Sequence, residues 1–160
     1  MTDRRLVILR HAKSGWPEGV SDIERPLAER GERDAPAAGR WLAENLGTID
    51  MALCSPATRA RETWTLAAGE LAATPDTRYD DRIYDASPGD LLAVVQDIDD
   101  DVETAVLIGH NPGLSQLVTA LAGEPHELKT SGIVVLTWSG DWTDAGSVPV
   151  TLTETTKPRG

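Results

Sequence analysis

Arg10 and His11 directly follow the apolar run Leu6-Val7-Ile8-Leu9, and His110 follows Val106-Leu107-Ile108 within Gly109-His110-Asn111. A neutral imidazole carries a lone pair able to attack phosphorus, while guanidinium groups or a second imidazole can hold the oxygens of the transferred group. Short, nearly continuous apolar runs read as buried strands, and strand ends are where open α/β sheets hold ligands. A third such place is Ser55-Pro56-Ala57-Thr58-Arg59, after the apolar stretch that ends at Cys54. Here Arg59 falls in the first turn of a helix, where free amides and the helix dipole already favour an anion. Its guanidinium adds planar donors for phosphoryl oxygens. Taken singly, each residue has a structural reading: a strand-end pair, a surface arginine, a core or capping histidine. Taken together they place two imidazoles and two guanidiniums on one rim of a parallel sheet, which is the expectation for a single anion site.

The elements that must position them follow from apolar periodicity. Leu6 to Leu9, Ile49 to Cys54 and Ala105 to Ile108 read as core strands covered on both faces. Ile133 to Trp138 and Val148 to Leu152 read as a later antiparallel pair around the turn Ser139-Gly140-Asp141. Helical spacing at Leu114, Leu117, Val118 and Leu121, at Ala60, Trp64, Ala68 and Leu71, and at Ala38, Trp41, Leu42 and Leu46 supplies the covering layers. Ser55-Pro56, Ser87-Pro88 and Asn111-Pro112 each read as a capping side chain with proline at the first helical position. Pro36 is expected in the first turn of its helix, since it would break an interior. Strands alternating with helices give an α/β fold, a three-layer α/β/α sandwich with a mostly parallel central sheet. One domain spanning residues 1–160 is expected, with 153–160 as a frayed tail.

Composition narrows the function classes. The formal net charge of −11 over 160 residues has the wrong sign for general attraction to nucleic acid or anionic lipid, so no nucleic-acid or membrane partner is expected. An anionic substrate must be drawn by a local cluster of arginines. No apolar stretch approaches the length of about 20 residues that a spanning helix needs, and the apolar run after Met1 to Arg5 is too short for a signal peptide. A soluble, cytoplasmic protein is the expectation. The single cysteine, Cys54, excludes an intrachain disulfide framework and a cysteine-based zinc cage. The run Asp97-Ile98-Asp99-Asp100-Asp101 lacks the glycine and distal glutamate of an EF-hand loop and reads as a solvated turn.

Leu9-Arg10-His11-Ala12-Lys13-Ser14, Ser55-Pro56-Ala57-Thr58-Arg59-Ala60-Arg61-Glu62-Thr63 and Gly109-His110-Asn111-Pro112, in this order, resemble the histidine phosphatase superfamily, phosphoglycerate mutase-like in fold. Within it the chain is similar to the short bacterial phosphohistidine phosphatases of the SixA type. Asp22-Ile23-Glu24-Arg25-Pro26-Leu27 followed by Glu29-Arg30-Gly31 resembles the stretch after the first motif in such members. The resemblance implies that His11 is the nucleophile and forms a covalent phosphohistidine that water then hydrolyses. It implies that Arg10 and Arg59 hold equatorial oxygens and that His110 stabilises charge in the transition state. Neither a metal nor another cofactor is implied, because arginines and imidazole supply the positive field. The implied partner is a phosphorylated protein histidine or a small phosphorylated substrate. On the same reading, nearby guanidiniums help to keep His11 neutral.

The proton donor stays open. Larger family members place a recognisable glutamate after the second motif, where this chain reads Arg82-Ile83-Tyr84-Asp85-Ala86-Ser87-Pro88. Asp85, Asp22, or water without a dedicated acid all remain. A poor acid position favours phosphohistidine or another activated phosphate, because an imidazole leaving group needs less help than an alkoxide. Arg25 is either a further phosphate contact or a salt-bridge partner of Asp22 or Glu24. Lys13 and Ser14 either reach phosphate or cap the loop. Cys54 reads as a buried strand residue, because four residues separate it from Arg59 where a cysteine phosphatase loop needs five. His126 has no assigned role. Trp41, Trp64 and Trp138 read as core, Trp16 as lining the pocket mouth, and Trp16 and Trp142 as the exposed aromatics.

Overall fold

The computed structural model describes residues 2–158. Ten regular elements follow in order: β1 (Asp3–Arg10), α1 (Glu29–Leu46), β2 (Met51–Cys54), α2 (Thr58–Ala68), β3 (Asp76–Tyr79), α3 (Pro88–Gln96), β4 (Thr104–Gly109), α4 (Gly113–Ala122), β5 (Ile133–Ser139) and β6 (Thr151–Thr156). The strands form one sheet in the order β3-β2-β4-β1-β5-β6. The first four run parallel, β5 is antiparallel to β1, and β6 is antiparallel to β5. Alternation along β1 builds both cores: Leu6 and Ile8 pack with Leu91, Val94, Leu114 and Leu117 of α3 and α4. Val7 and Leu9 pack on the other face with Ala38, Leu42, Trp64 and Ala67 of α1 and α2. Because every residue of the run faces a helical layer, none can be polar without cost, and the period-two signal of a half-exposed strand disappears. The result is the expected three-layer α/β/α sandwich.

Two strands differ from expectation. β3 carries Asp76, Thr77, Arg78 and Tyr79 at a sheet edge, so it holds no apolar run to read. The last strand lies at Thr151–Thr156 instead of Val148 to Leu152, with Thr156 opposite Ile133 and Thr151 opposite Thr137. Glu154 to Thr156 are therefore paired backbone, with Thr153 at the register shift before them, and not a frayed tail; Arg159 and Gly160 of that stretch lie outside the described residues. Both strands are held by ladder hydrogen bonds to one neighbour, which polar residues make as well as apolar ones.

Of the three expected proline starts, only α3 follows the pattern. Ser87 Oγ accepts from the Asp90 amide at 3.1 Å and the Asp90 carboxylate accepts from the Ser87 amide at 3.0 Å, closing a capping box. α2 begins at Thr58 after Ala57, and α4 at Gly113 after Pro112. Ser55 Oγ still accepts the Ala57 amide, and Asn111 Oδ1 the Ser115 amide. Pro36 sits inside α1 because that helix already starts at Glu29; lacking an N–H, it leaves the Glu32 carbonyl without its helical donor. Trp142 is fully buried, contrary to its reading as exposed. It packs edge-on against Trp138 at 5.3 Å, and its indole N–H donates to the Val102 carbonyl. Trp64 and Trp138 are core, while Trp41 is only half-buried.

The α1 and α2 pair, which fixes the loop after β1 on one side and Arg59 on the other, meets at Gly39. A Cβ there would lie 2.1 Å from the Ala67 carbonyl oxygen, a backbone atom that cannot rotate away. Alanine gains about 1 kcal/mol over glycine in a helix interior, but overpacking of a backbone contact costs about 1–3 kcal/mol, and the steric term wins at such a distance. Gly39→Ala is therefore expected to lower the urea midpoint. An unchanged or raised midpoint would show that the two helices separate freely.

Candidate active site

β1 and β4 are neighbours, yet the helices that follow them lie on opposite faces of the sheet. Their chain directions part at that point, which opens a crevice at the strand ends. The register brings the ends level, with Arg10 opposite Gly109 and Cys54 opposite Ile108. Backbone hydrogen bonds carry the alignment one residue further: the His11 amide donates to Gly109, and the Ser55 amide to Ile108, both at 3.0 Å. From this rim the His11 and His110 rings face each other with centroids 5.1 Å apart. The structure thus brings together all four residues from the three strand ends.

His11 is 7% exposed, and its Nδ1 lies 2.7 Å from the Ala12 carbonyl oxygen. A carbonyl can only accept, so Nδ1 carries the hydrogen and Nε2 the lone pair. Burial, with Arg59, Arg10 and Arg25 adding to it against the Ala12 hydrogen bond, pulls the pKa down to about 4. Burial, more than the neighbouring guanidiniums, keeps the imidazole neutral. His110 is held lower still, at about 3, by burial first and then by His11 and Arg59. Its Nε2 lies 2.7 Å from Ser55 Oγ, and Tyr84 stands edge-on to its ring at 5.7 Å.

Asp22 organises the arginines. Its carboxylate accepts from Tyr84 Oη at 2.5 Å, Arg25 Nε at 3.0 Å and Arg59 Nη2 at 3.1 Å. Its backbone carbonyl accepts from Arg59 Nη1 at 2.6 Å. The Tyr84 hydrogen bond and the two guanidiniums hold the Asp22 carboxyl down at about 2, so it is ionised throughout the neutral range. Arg25 is both an ion-pair partner of Asp22 and part of the site wall: Nη1 donates to Ser14 Oγ, and its guanidinium stacks 3.4 Å above the exposed Trp16 ring. Ser14 thus serves the loop, while the Lys13 side chain is exposed. Arg10 is anchored by Nη1 on the Leu128 carbonyl, which also accepts from Asn111 Nδ2.

Asp85 stands apart. It is exposed, in left-handed backbone at φ 52°, and makes no hydrogen bond or ion pair to the site's imidazoles or guanidiniums; its charge bears on Tyr84. Tyr84, directly before it, was the informative residue of that segment, and only its place beside Asp85 pointed to it. The Cys54 thiol is buried and pushed up to about 12, consistent with its reading as a strand residue. His126 meets Thr155 away from this rim.

Among the described residues, Arg10 Nε, Arg59 Nε and His110 Nδ1 are buried at this rim without a protein partner, as is Ser131 Oγ. Buried polar groups are nearly always satisfied, so orphans from three separate elements in one crevice mark a place built for an acceptor. With a neutral Nε2 on His11 beside them, the arrangement suits a tetrahedral oxyanion attacked by an imidazole.

The known proteins agree with this geometry. The profile of the histidine phosphatase superfamily (branch 1) matches residues 6–105. An uncharacterized protein of Mycobacterium tuberculosis is 40% identical over 147 residues, covering 85% of this chain and 90% of that protein. Two solved structures, candidate phosphohistidine phosphatases named SixA from Nakamurella multipartitia and Agrobacterium tumefaciens, are each 28% identical. They superpose with TM-scores of 0.88 and 0.82, covering 98% and 96% of this chain and 96% and 97% of theirs. With its strand-end residues gathered around one crevice and this similarity along most of its length, the chain belongs to the histidine phosphatase superfamily and is a SixA-like member of it.

Proposed function

We propose that this protein is a phosphatase that removes phosphoryl groups from histidine side chains of other proteins, without a metal, through a covalent intermediate on His11. The observation that carries the reading is the set of buried, unpartnered nitrogens on Arg10, Arg59 and His110 around an imidazole that is neutral and presents Nε2. In the first step the His11 Nε2 lone pair forms a bond to phosphorus as the substrate's P–N bond breaks, and water protonates the departing imidazole. In the second step water attacks phosphorus, the Nε2–P bond breaks, and inorganic phosphate leaves with the water's proton. Arg10, Arg59 and His110 hold the equatorial oxygens in both steps, which is where positioned donors contribute most to phosphoryl transfer.

The choice of a phosphoramidate substrate rests on the proton ledger. Asp22 is a carboxylate at neutral pH, and a group without a proton cannot protonate an alkoxide. Asp85 is exposed and makes no hydrogen bond to the site's imidazoles or guanidiniums. A phosphohistidine asks least of such a site, and the names of the two SixA relatives carry the same substrate. Asp22 then acts as a positioning residue for Arg59 and Arg25. An alternative with the same anion site is a phosphatase of small phosphate esters, and a non-catalytic phosphate-binding module is a further one; the substrate panel below separates them.

Four outcomes follow. Purified protein mixed with a phosphohistidine-bearing protein releases phosphate, is unaffected by EDTA, and processes sugar phosphates at least about 100-fold more slowly, a difference of about 2.7 kcal/mol in barrier. His11→Ala retains no covalent label and no turnover; equal rates in wild type and variant would end the proposal. Because protonation removes the Nε2 lone pair, kcat/KM corrected for substrate ionisation stays level from neutral pH through pH 5. It then falls as pH drops through about 4, and a loss already centred near pH 6.5 would contradict a buried neutral nucleophile. Asp22→Asn slows phosphohistidine and ester substrates by similar factors; selective loss of ester turnover would instead make Asp22 the acid.

A further inference from the structure

Ser55 was read as a helix cap, yet α2 starts three residues later and the serine hydroxyl lies against the site. Ser55 is fully buried. Its backbone N–H is used by the Ile108 carbonyl. Its Oγ accepts the Ala57 amide at 3.2 Å and lies 2.7 Å from His110 Nε2. Four facts therefore constrain a single hydroxyl hydrogen.

A neutral imidazole has one N–H and one lone pair, and which nitrogen holds which is set by the partner of the other. If Nε2 carried the hydrogen and donated to Ser55, the hydroxyl hydrogen would be left with no acceptor among the described residues. His110 Nδ1, buried and without a protein partner, would then point a lone pair at any bound oxyanion. Since Nδ1 lacks a protein partner in either tautomer, the added cost in the free protein is one buried hydroxyl hydrogen left unsatisfied, about 1–3 kcal/mol. If the hydroxyl donates to Nε2 instead, both of its lone-pair and hydrogen requirements are met, and Nδ1 becomes an N–H donor.

From this accounting we infer that Ser55 is a positioning residue that fixes His110 as the Nδ1–H tautomer, so that a neutral imidazole presents a hydrogen, and not a lone pair, to the phosphoryl oxygen. The inference rests on the reading of His110 as a phosphoryl-oxygen donor. It explains how His110 can serve an anion without being protonated, since its burial beside His11 and Arg59 holds the charged form off to about pH 3.

The experiment has a spectroscopic and a kinetic arm. In 15N-labelled wild type at pH 7, two-bond 1H–15N correlation spectra assign His110 a protonated Nδ1 and an unprotonated Nε2. Ser55→Ala shifts it toward the other tautomer or a mixture, and Ser55→Thr, which keeps the hydroxyl, restores it. Turnover of phosphohistidine falls about 10- to 100-fold in kcat for Ser55→Ala, part of the roughly 10²–10³ that a whole oxyanion donor supplies. Ser55→Thr regains most of it, and inorganic tungstate binds Ser55→Ala more weakly than wild type. Circular dichroism and a thermal scan check that Ser55→Ala is folded, and if it is not, the wild-type and Ser55→Thr spectra decide. A protonated Nε2 in wild type overturns the inference, and so does full activity of folded Ser55→Ala with an unchanged tautomer. Absence of turnover on every phosphate tested would defeat the proposed function while leaving the tautomer measurement to stand or fall alone.

Discussion

Two buried imidazoles that cannot become charged depend on where each keeps its one hydrogen. His11 and His110 both hold it on Nδ1, but opposite neighbours give opposite chemistry. The Ala12 carbonyl takes the His11 hydrogen and leaves Nε2 with the lone pair that the proposed attack needs, whereas in the inferred tautomer the Ser55 hydroxyl covers the His110 lone pair and leaves the hydrogen for donation. Neutrality is the precondition. An imidazolium on His11 would be inert as a nucleophile, and a charged pair of rings at 5.1 Å would repel beside three guanidiniums. Burial at the sheet's carboxyl rim supplies that neutrality, so the apolar runs that make the core also make the chemistry.

The guanidiniums pose the converse problem, since Arg59 and Arg25 are at least as buried as His11 yet must stay charged. Charge in such a place needs pairing and hydrogen bonds. Asp22 provides both to the two arginines at once, and Tyr84 donates to the same Oδ2 that Arg59 holds. Arg10 relies on the Leu128 carbonyl alone for the hydrogen bond it makes. Both Nη atoms of Arg59 are committed to Asp22 and Arg10 Nη1 to Leu128, while Nε of each is buried without a protein partner. Pre-set donors of this kind need no rearrangement when negative charge develops.

How far the sequence carried this depended on whether a residue's role is local. Arg10, His11 and His110 were legible because each stands at the end of an apolar strand, and Arg59 because it opens the helix after one; adjacent parallel strands must bring their ends together. The two helical layers were legible from periodicity. Tyr84 was not, because its partner Asp22 is 62 positions away and a half-buried tyrosine before a turn carries no pattern. Ser55 was misread for the opposite reason: serine before proline has a strong local meaning, and the tertiary partner His110 competed with it. β3 and β6 escaped because an edge strand with polar side chains is specified by its neighbour's backbone more than by its own sequence.

One tension in the composition resolves at this scale. A chain of net charge −11 should repel a phosphorylated protein, yet screening in about 0.15 M salt limits exposed charges to a range of about 8 Å. The carboxylates of Asp97 to Asp101 stand at the end of α3 before β4, at the amino end of the parallel strands, while the arginines gather at the carboxyl end. Arg10, Arg25 and Arg59 act inside a crevice where water is scarce and their field is screened far less. The overall charge therefore governs solubility and slows distant encounters, and the local cluster governs capture. Under the proposed function a partner would meet the short-range rim, where Trp16, 76% exposed, stacks on Arg25.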